Sequence, residues 1–415
     1  MIQAGTTKRA GLIATQGIRG GANQLVLKKI KDSGDIYYAW SDLEWVVDGA
    51  TVHISIVAQD DGTEQAKVLN GAPVATIHAD LTGGAADKAD LTQARRLREN
   101  VGLSFMGDTK GGAFDIDRAT ARALVHAGPN ANGKPNLEVV KPWINGLDVT
   151  RRPRDMFIID FGPETSETEA AYYEAPLKHV VEHVKPDRDT NNRAAYKERW
   201  WIHVEARPAM LKALAPLKRF IATARVAKHR LFAWVNAGVL PDSQVIVIAR
   251  DDDYCFGVLH SRVHETWALK KGTQLRIDPR YTPTTTFETF PFPWPLSTPA
   301  EKLTPSQRKH WQAITDAATE LDEKRSRWLN PPELVKEVDD SPLPPRIVPI
   351  DASAATTLAK RTLTKLYNEK PLWLTHLHKK LDQAVLDAYG LAHDLGDADL
   401  LKALLALNLA RDPAS

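Results

Sequence analysis

Residues 8–30 read KRAGLIATQGIRGGANQLVLKKI, and the reading of this stretch decides the fold of the N-terminal region. Gly11 to Thr15 (GLIAT) is a short apolar run with the length and β-branched character of a buried parallel strand. A glycine-bearing turn follows, and Asn23 to Ile30 (NQLVLKKI) places Leu25, Val26, Lys29 and Ile30 at helical spacing. Strand, turn and helix make an α/β unit. Downstream, IYYAW and the alternating TVHISIV signal two further strands around a loop that contains Trp45.

From about Gln59 the pattern changes to short apolar runs broken by Gly, Pro and Asp, as in VATIHADL, LEVVKPWING, DMFIIDFG and QVIVIARDDDYCFGVL. Helical stretches such as Thr168 to Val184 and Met210 to Phe220 are interspersed, which predicts an α+β domain. Prolines at 291, 293, 295 and 299 interrupt any regular element and read as a linker. Beyond them, Ser306 to Trp328 reads as a charged amphipathic helix, Asp339 to Ile350 as an extended connector, and Ala354 to Asn408 as a helical cap. The expected divisions are residues 1–75, 76–296 and 297–415.

Composition narrows the classes. Lys+Arg of 54 against Asp+Glu of 52 leaves a net charge of +2, so nucleic-acid binding needs a local basic face. The single cysteine, Cys255, excludes an internal disulfide and a multi-cysteine zinc site, and fits a reducing cytoplasm. No apolar run approaches the length that spans a bilayer, so a cytoplasmic protein with no membrane partner is expected.

Three short motifs invite chemistry. Gly128 to Lys134 (GPNANGK) has phosphate-loop spacing, but Pro135 stands where a magnesium-binding hydroxyl is required and no strand precedes it. His179 to His183 (HVVEH) matches the inverted zinc-protease pattern, with Glu182 to activate water, yet Lys185-Pro186 closes the helix and no third ligand is identifiable. His260 and His264 share that spacing and are discounted with it. Asn330-Pro331-Pro332 is followed by Glu333 where an amino-methyltransferase carries an aromatic residue to stack on the flipped base.

The remaining blocks carry a resemblance. The opening stretch with IYYAWSDLEWVVDGATVHISIV resembles the segment after the catalytic motif of class I S-adenosylmethionine-dependent DNA adenine methyltransferases in single-chain type II (type IIG/IIL) restriction-modification systems. FMGDTKGGAF, VVKPWINGLDVTRRPRDMFIIDFG, ERWWIHVEARP, RVAKHRLFAW, DDDYCFGVLHSRVHETW and RYTPTTTFETFPFP resemble their target-recognition region, and LTKLYNEKPLWLTHLHKKLDQAVLDAYG their helical end. The implied fold is α/β plus α+β: the late half of a Rossmann-like methyltransferase sheet, an α+β target-recognition domain and a C-terminal helical cap. The family's glycine-rich cofactor loop and Asn-Pro-Pro-aromatic motif are absent from these residues.

By this resemblance, Thr15, Gln16 and Arg19 lie at the C-terminal edge of the sheet, where α/β ligand crevices form, and Trp45 and Asp48 lie near the flipped adenine. Arg225, Lys228, His229, Arg230, Arg262, Arg280, Tyr281, Thr284, Thr285 and Thr286 have side chains suited to phosphate or base contact.

Three functional readings follow. The first is the C-terminal portion of a site-specific DNA (adenine-N6) methyltransferase, reading double-stranded DNA, with S-adenosylmethionine held mostly outside this chain. The second is a non-catalytic specificity subunit paired with a separate methyltransferase chain. The third is a zinc hydrolase built on His179, Glu182 and His183. Either of the first two predicts an exposed apolar sheet edge around Leu12, Ile13, Val26 and Ile30.

Overall fold

The computed structural model describes residues 7–20, 23–47, 50–84, 89–275 and 278–414. Its N-terminal unit is a mixed five-stranded sheet in the order β1-β3-β2-β4-β5, formed by β1 (Arg9–Thr15), β2 (Asp35–Val47), β3 (Ala50–Asp60), β4 (Lys67–Leu69) and β5 (Ala72–Val74). β3 runs antiparallel to both β1 and β2, with Ile13 opposite Ile56 on one side and Ala39 opposite Val57 on the other. β1 and β2 therefore point the same way, joined through helix α1 (Gln24–Ser33), with β3 inserted between them. The helix buries Leu27 and Ile30 against Ile36, Ala39, Val57 and Ile77.

Two details differ from the sequence reading. GLIAT is not a buried strand with parallel neighbours: its burial alternates and its pairing partner is antiparallel. Trp45 lies within a strand, because β2 absorbs Ser41 and Asp42 at a register shift between Trp40 and Leu43 and continues to Val47. Among the described residues, β1 pairs on one side only. Beside that edge Ile13 is 63% exposed and Val26 48%, whereas Leu12 is half-buried and Ile30 buried.

The middle of the chain holds two four-stranded sheets. One orders Leu240–Pro241, Val140–Ile144, Met156–Ile159 and Asp115–Ile116; the other orders Ala233–Asn236, Arg219–Ala224, Val245–Ile248 and Ser104–Met106, all antiparallel. Val245–Ile248 is buried along its whole length, as a strand covered on both faces must be. The expected helix over Met210 to Phe220 ends at Leu214, and the chain turns into the strand beginning at Arg219.

The proline-rich stretch is not a solvated linker. Phe290, Phe292, Trp294 and Leu296 are buried in one hydrophobic cluster that continues into Ile314, Leu321, Leu374, Leu381 and Leu404. Prolines hold this segment extended without requiring hydrogen-bond partners, so its alternate aromatic residues insert into the core. Trp294 stacks on Tyr254 at 5.1 Å.

Helix Pro305–Leu329 begins with a capping box from Thr304 and Gln307 and with proline at its first turn. The expected connector is instead a hairpin, Val335–Asp340 with Leu343–Pro349, anchored where Arg118 and Arg122 both pair with buried Asp340. Helices Ala352–Ala359, Leu363–Glu369, Leu372–Tyr389 and Asp397–Leu409 complete the chain. Among the described residues no helix is long and apolar enough to cross a membrane.

Candidate nucleic-acid interface

The turn after β1 is a single 3-10 turn, Gln16–Arg19, pinned by buried Ile18. Arg19 points toward Asp42 at 3.9 Å, and Asp42 in turn bonds His53 at 2.6 Å. The next residue must be small. A Cβ on Gly20 would stand 2.7 Å from Thr273 Cγ2, so glycine lets the turn abut the strand Thr273–Leu275.

That strand pairs with Asp278–Arg280 to form a two-stranded ribbon, with Thr273 opposite Arg280. At its far side the ribbon joins the ARVAKHR segment: Val226 bridges Arg280, and the Tyr281 amide donates to the Arg225 carbonyl at 2.8 Å. The ribbon thus links the turn after β1 to the basic segment, which no spacing in the sequence indicates. A cavity of about 240 Å³ lies along it, lined by Gln16, Arg19, Asp80, Thr82, Lys270 and Thr273 among others.

Arg207, Arg225 and Arg280 lie close enough at this junction for the charges of the other two to act on Arg225. Burial pushes the Arg225 guanidinium below its ordinary range, and the like charges of Arg280 and Arg207 add to the effect, with Asp242 as a partial counterweight. Arg207 pairs with Glu205 and donates to the Gly107 carbonyl at 3.2 Å. Arg225 and Arg280 make no ion pair among the described residues. Half-buried guanidiniums held beside one another without carboxylate partners suit an incoming anion, whose charge relieves their repulsion.

The other basic and hydroxyl residues of the region are placed differently. Arg230 is buried, donating to Thr223 Oγ1 at 2.9 Å and to the Pro279 carbonyl at 2.9 Å, and burial pushes its guanidinium down to about 10. Tyr281 is buried and bonds His264 at 3.0 Å. Thr286 closes onto the backbone of Thr282, Thr285 is half-buried, and Thr284 is exposed. Arg262 is committed to Asp397 and the Leu395 carbonyl, tying two helices together. Lys228 and His229 both donate to Asn368 Oδ1, at 2.8 and 2.9 Å, and so clasp the C-terminal helices.

Thr15 is exposed at the end of β1, and Gln16 lines the cavity. Trp45 is 47% exposed in the distal part of the β2–β3 hairpin, beside Val46 and Val52, well along the strand from the turn. Asp48 lies outside the described residues. Arg207 was not singled out from the sequence. Its only signal is its position in ERWWIHVEARP, just before the helix starting at Pro208.

The remaining motifs resolve simply. His179 and His183 face each other with ring centroids 4.3 Å apart, and among the described residues no group of three metal-ligating side chains includes them. After Val184 the chain continues as a short helix, Lys185–Asp189. GPNANGK is a loop in which Asn130 bonds Asn136 at 2.7 Å and Lys134 pairs with Glu138 at 3.5 Å. Cys255 is buried.

Residues 139–294, which include the ribbon, match the family model described as "MmeI, target recognition domain". The match takes in Arg207, Arg225 and Arg280. The fold as a whole is similar to that of the type IIL restriction-modification enzyme MmeI, solved in complex with DNA, with a TM-score of 0.68 and 16% identity. That likeness covers 98% of this chain and 50% of MmeI, so the chain spans about half the length of that enzyme. The type IIG restriction endonuclease BpuSI gives a TM-score of 0.27 at 7% identity over 92% of this chain and 47% of its own, and carries no argument. No curated protein matches the sequence.

Proposed function

We propose that this chain is the C-terminal portion of a site-specific DNA (adenine-N6) methyltransferase of a restriction-modification system, and that its own work is to read the DNA target. The observation that carries the reading is the arginine cluster of Arg207, Arg225 and Arg280, which lies within the stretch matching a target-recognition domain. Phosphate contacts from such residues position the duplex, and any guanidinium that reaches a guanine edge adds discrimination of about 1–3 kcal/mol. The ribbon beside them leads to Gln16 and Arg19, so bound DNA passes from the recognition residues toward the sheet.

Two features support a methyltransferase sheet beside it. The β1–α1–β2 crossover joins strands of one direction, the repeat from which Rossmann-like sheets are built, and the inserted antiparallel β3 is the kind of addition such sheets carry near an edge. The one-sided pairing of β1, with Ile13 and Val26 exposed beside it, suits the docking of further strands. In this reading S-adenosylmethionine is held mostly outside this chain. The cavity beside Gln16 and Arg19 is about 240 Å³, below the roughly 300–1,000 Å³ of ligand-sized pockets. No step of methyl transfer is therefore derived from these residues. The same edge favours a second reading, a specificity subunit that pairs with a separate methyltransferase chain.

The test is DNA binding by the purified chain, followed against salt and with a labelled methyl donor present. Binding should weaken steeply with salt, and the double substitution Arg225→Ala and Arg280→Ala should reduce the slope of log K against log salt by about 0.9 for each phosphate that is no longer neutralised. No label should reach DNA unless a cofactor-binding half is added. An unchanged salt slope removes the arginine cluster from the interface, and methyl transfer by the chain alone overturns the division of labour. Stable co-purification with a separately encoded partner selects the subunit reading.

A further inference from the structure

A second cavity, of about 600 Å³, lies on the C-terminal helices, away from the arginine cluster in the chain. It is formed where the end of helix Pro305–Leu329 and the following Pro331 meet the start of helix Leu372–Tyr389. Its walls include two half-buried indoles, Trp328 and Trp373. Among the described residues no aromatic ring stacks on either of them, although most large aromatic side chains of the neighbouring core are paired with another ring.

The polar lining has one dominant sign. Arg361 lies over the Trp328 ring at 5.5 Å and is fixed by donating to the Trp328 carbonyl at 2.8 Å. It covers that face of Trp328, so Trp373 and the guanidinium itself are the flat surfaces left to the cavity. Lys324 and Arg327 are exposed at the rim and make no ion pair among the described residues. Of the two carboxylates, Glu320 is neutralised by Lys380 at 2.6 Å, and Glu333 remains to accept hydrogen bonds.

Flat surfaces, unpaired cations and one free acceptor are the complement of a nucleotide. The base stacks, the phosphate meets the cations, and the carboxylate accepts from an amino group or a ribose hydroxyl. The volume lies within the range of pockets that enclose ligands of this size. We infer that the cavity bounded by Trp328, Trp373, Arg327, Lys324 and Arg361 binds a nucleotide unit, base on Trp373 beside the Arg361 guanidinium and phosphate on the rim cations. The unit is either a free mononucleotide or one nucleotide of a DNA strand that has left the duplex. A stacking site of this kind takes no part in reading base pairs within a duplex, so it is separate from the recognition function proposed above.

The experiment is a titration of the intact chain with adenosine monophosphate, with adenosine, and with a short single-stranded oligothymidylate, following tryptophan fluorescence and the anisotropy of labelled probes. Trp373→Ala should weaken binding about tenfold, in line with the loss of one stacking partner. Arg327→Glu, at an exposed position that leaves the core intact, should weaken the phosphate-bearing probes and leave adenosine unchanged. Saturable binding of the monophosphate that both substitutions weaken identifies a free nucleotide as the ligand. Binding of the oligonucleotide alone, with the same sensitivity, identifies a DNA strand. If neither probe binds, or if binding survives both substitutions, the inference is overturned. Duplex binding through Arg225 and Arg280 is measured alongside and should be indifferent to Trp373→Ala and Arg327→Glu, so a failure of one proposal is not mistaken for a failure of the other.

Discussion

Replacing Arg325 by alanine will lower the unfolding midpoint of the protein in urea sharply, corresponding to a loss of about 3–5 kcal/mol. Arg325 belongs to helix Pro305–Leu329 and is 2% exposed. Its guanidinium donates to His260 Nε2 at 2.7 Å and to the Phe232 carbonyl at 2.9 Å, lies 3.2 Å from Asp322 and 3.4 Å from the Tyr367 hydroxyl, and rests over the Phe256 ring. One side chain therefore joins the recognition sheet to three helices. Alanine leaves the Phe232 carbonyl buried without that donor and opens a cavity, and both costs fall at one junction. Arg325→Met fills most of the volume and forfeits the hydrogen bonds alone, so its loss should be smaller, about 1–3 kcal/mol. Equal midpoints for the alanine variant and the unmodified protein would show that the network contributes nothing to cohesion. Because the same cluster joins the proline stretch and the C-terminal helices to Ile221, Ile246 and Ile248, the sheet that carries Arg219–Ala224 and Val245–Ile248 should unfold with those helices in one transition.

How much of this was legible in the sequence depended on the range of the interaction that decided each feature. Helix Pro305–Leu329 and the Leu363 to Leu386 periodicity are local patterns, and both are present as helices close to the expected bounds. The match over residues 139–294 likewise bears out the resemblance of the blocks from VVKPWINGLDVTRRPRDMFIIDFG to RYTPTTTFETFPFP to a target-recognition region. Burial was less legible, because an arginine carries the same letter inside and outside a protein. Arg230 and Arg225 are five residues apart in one basic segment, yet Arg230 is consumed by the Thr223, Ala224 and Pro279 oxygens while Arg225 is left beside Arg280. Pro279, which helps hold Arg230, and Arg280, which acts on Arg225, both arrive from a ribbon far downstream in the chain. The same limit explains the proline run, where the absence of a regular element was readable and its insertion into the core was not. It also explains β1, whose apolar content marks a strand but does not state the direction of its neighbour.

The second large effect is acid sensitivity, which follows from three histidines that the core holds neutral. His260 accepts hydrogen bonds at Nε2 from both Arg325 and the Phe232 amide, at 2.7 and 3.1 Å, while Nδ1 donates to the Phe256 carbonyl. A proton at Nε2 would face two donors, one of them cationic, and burial together with Arg325 holds this imidazole well below its usual range. Burial also pushes His264, between the Leu259 carbonyl and the Tyr281 hydroxyl, down to about 3, and His378, bonded to Tyr367, down to about 4. Each unfolded histidine takes up a proton near pH 6.5, whereas the folded one does not until far lower pH. The unfolded state therefore binds more protons between about pH 6.5 and 4, and stability falls as pH drops through that window. Asp382 works the other way, since burial raises its carboxyl to about 6 and the folded state takes up that proton first. Burial raises Glu265 and Asp242 in the same direction, so the carboxyls offset part of the histidine contribution and the net slope below pH 6 is at most about 2–3 kcal/mol per pH unit. His203 acts at the opposite end. Asp108 at 3.0 Å and Asp160 outweigh its burial and raise it, so its contribution is complete below pH 6.5 and is lost as pH rises through its elevated value. Thermal unfolding from pH 8 to 4 should show the midpoint dropping steeply below pH 6, and His264→Phe, which removes one proton site while filling the same space, should flatten the acid limb by about one proton. A midpoint that holds level between pH 6 and 4.5 would mean that these imidazoles are solvated and free to ionise in the folded protein.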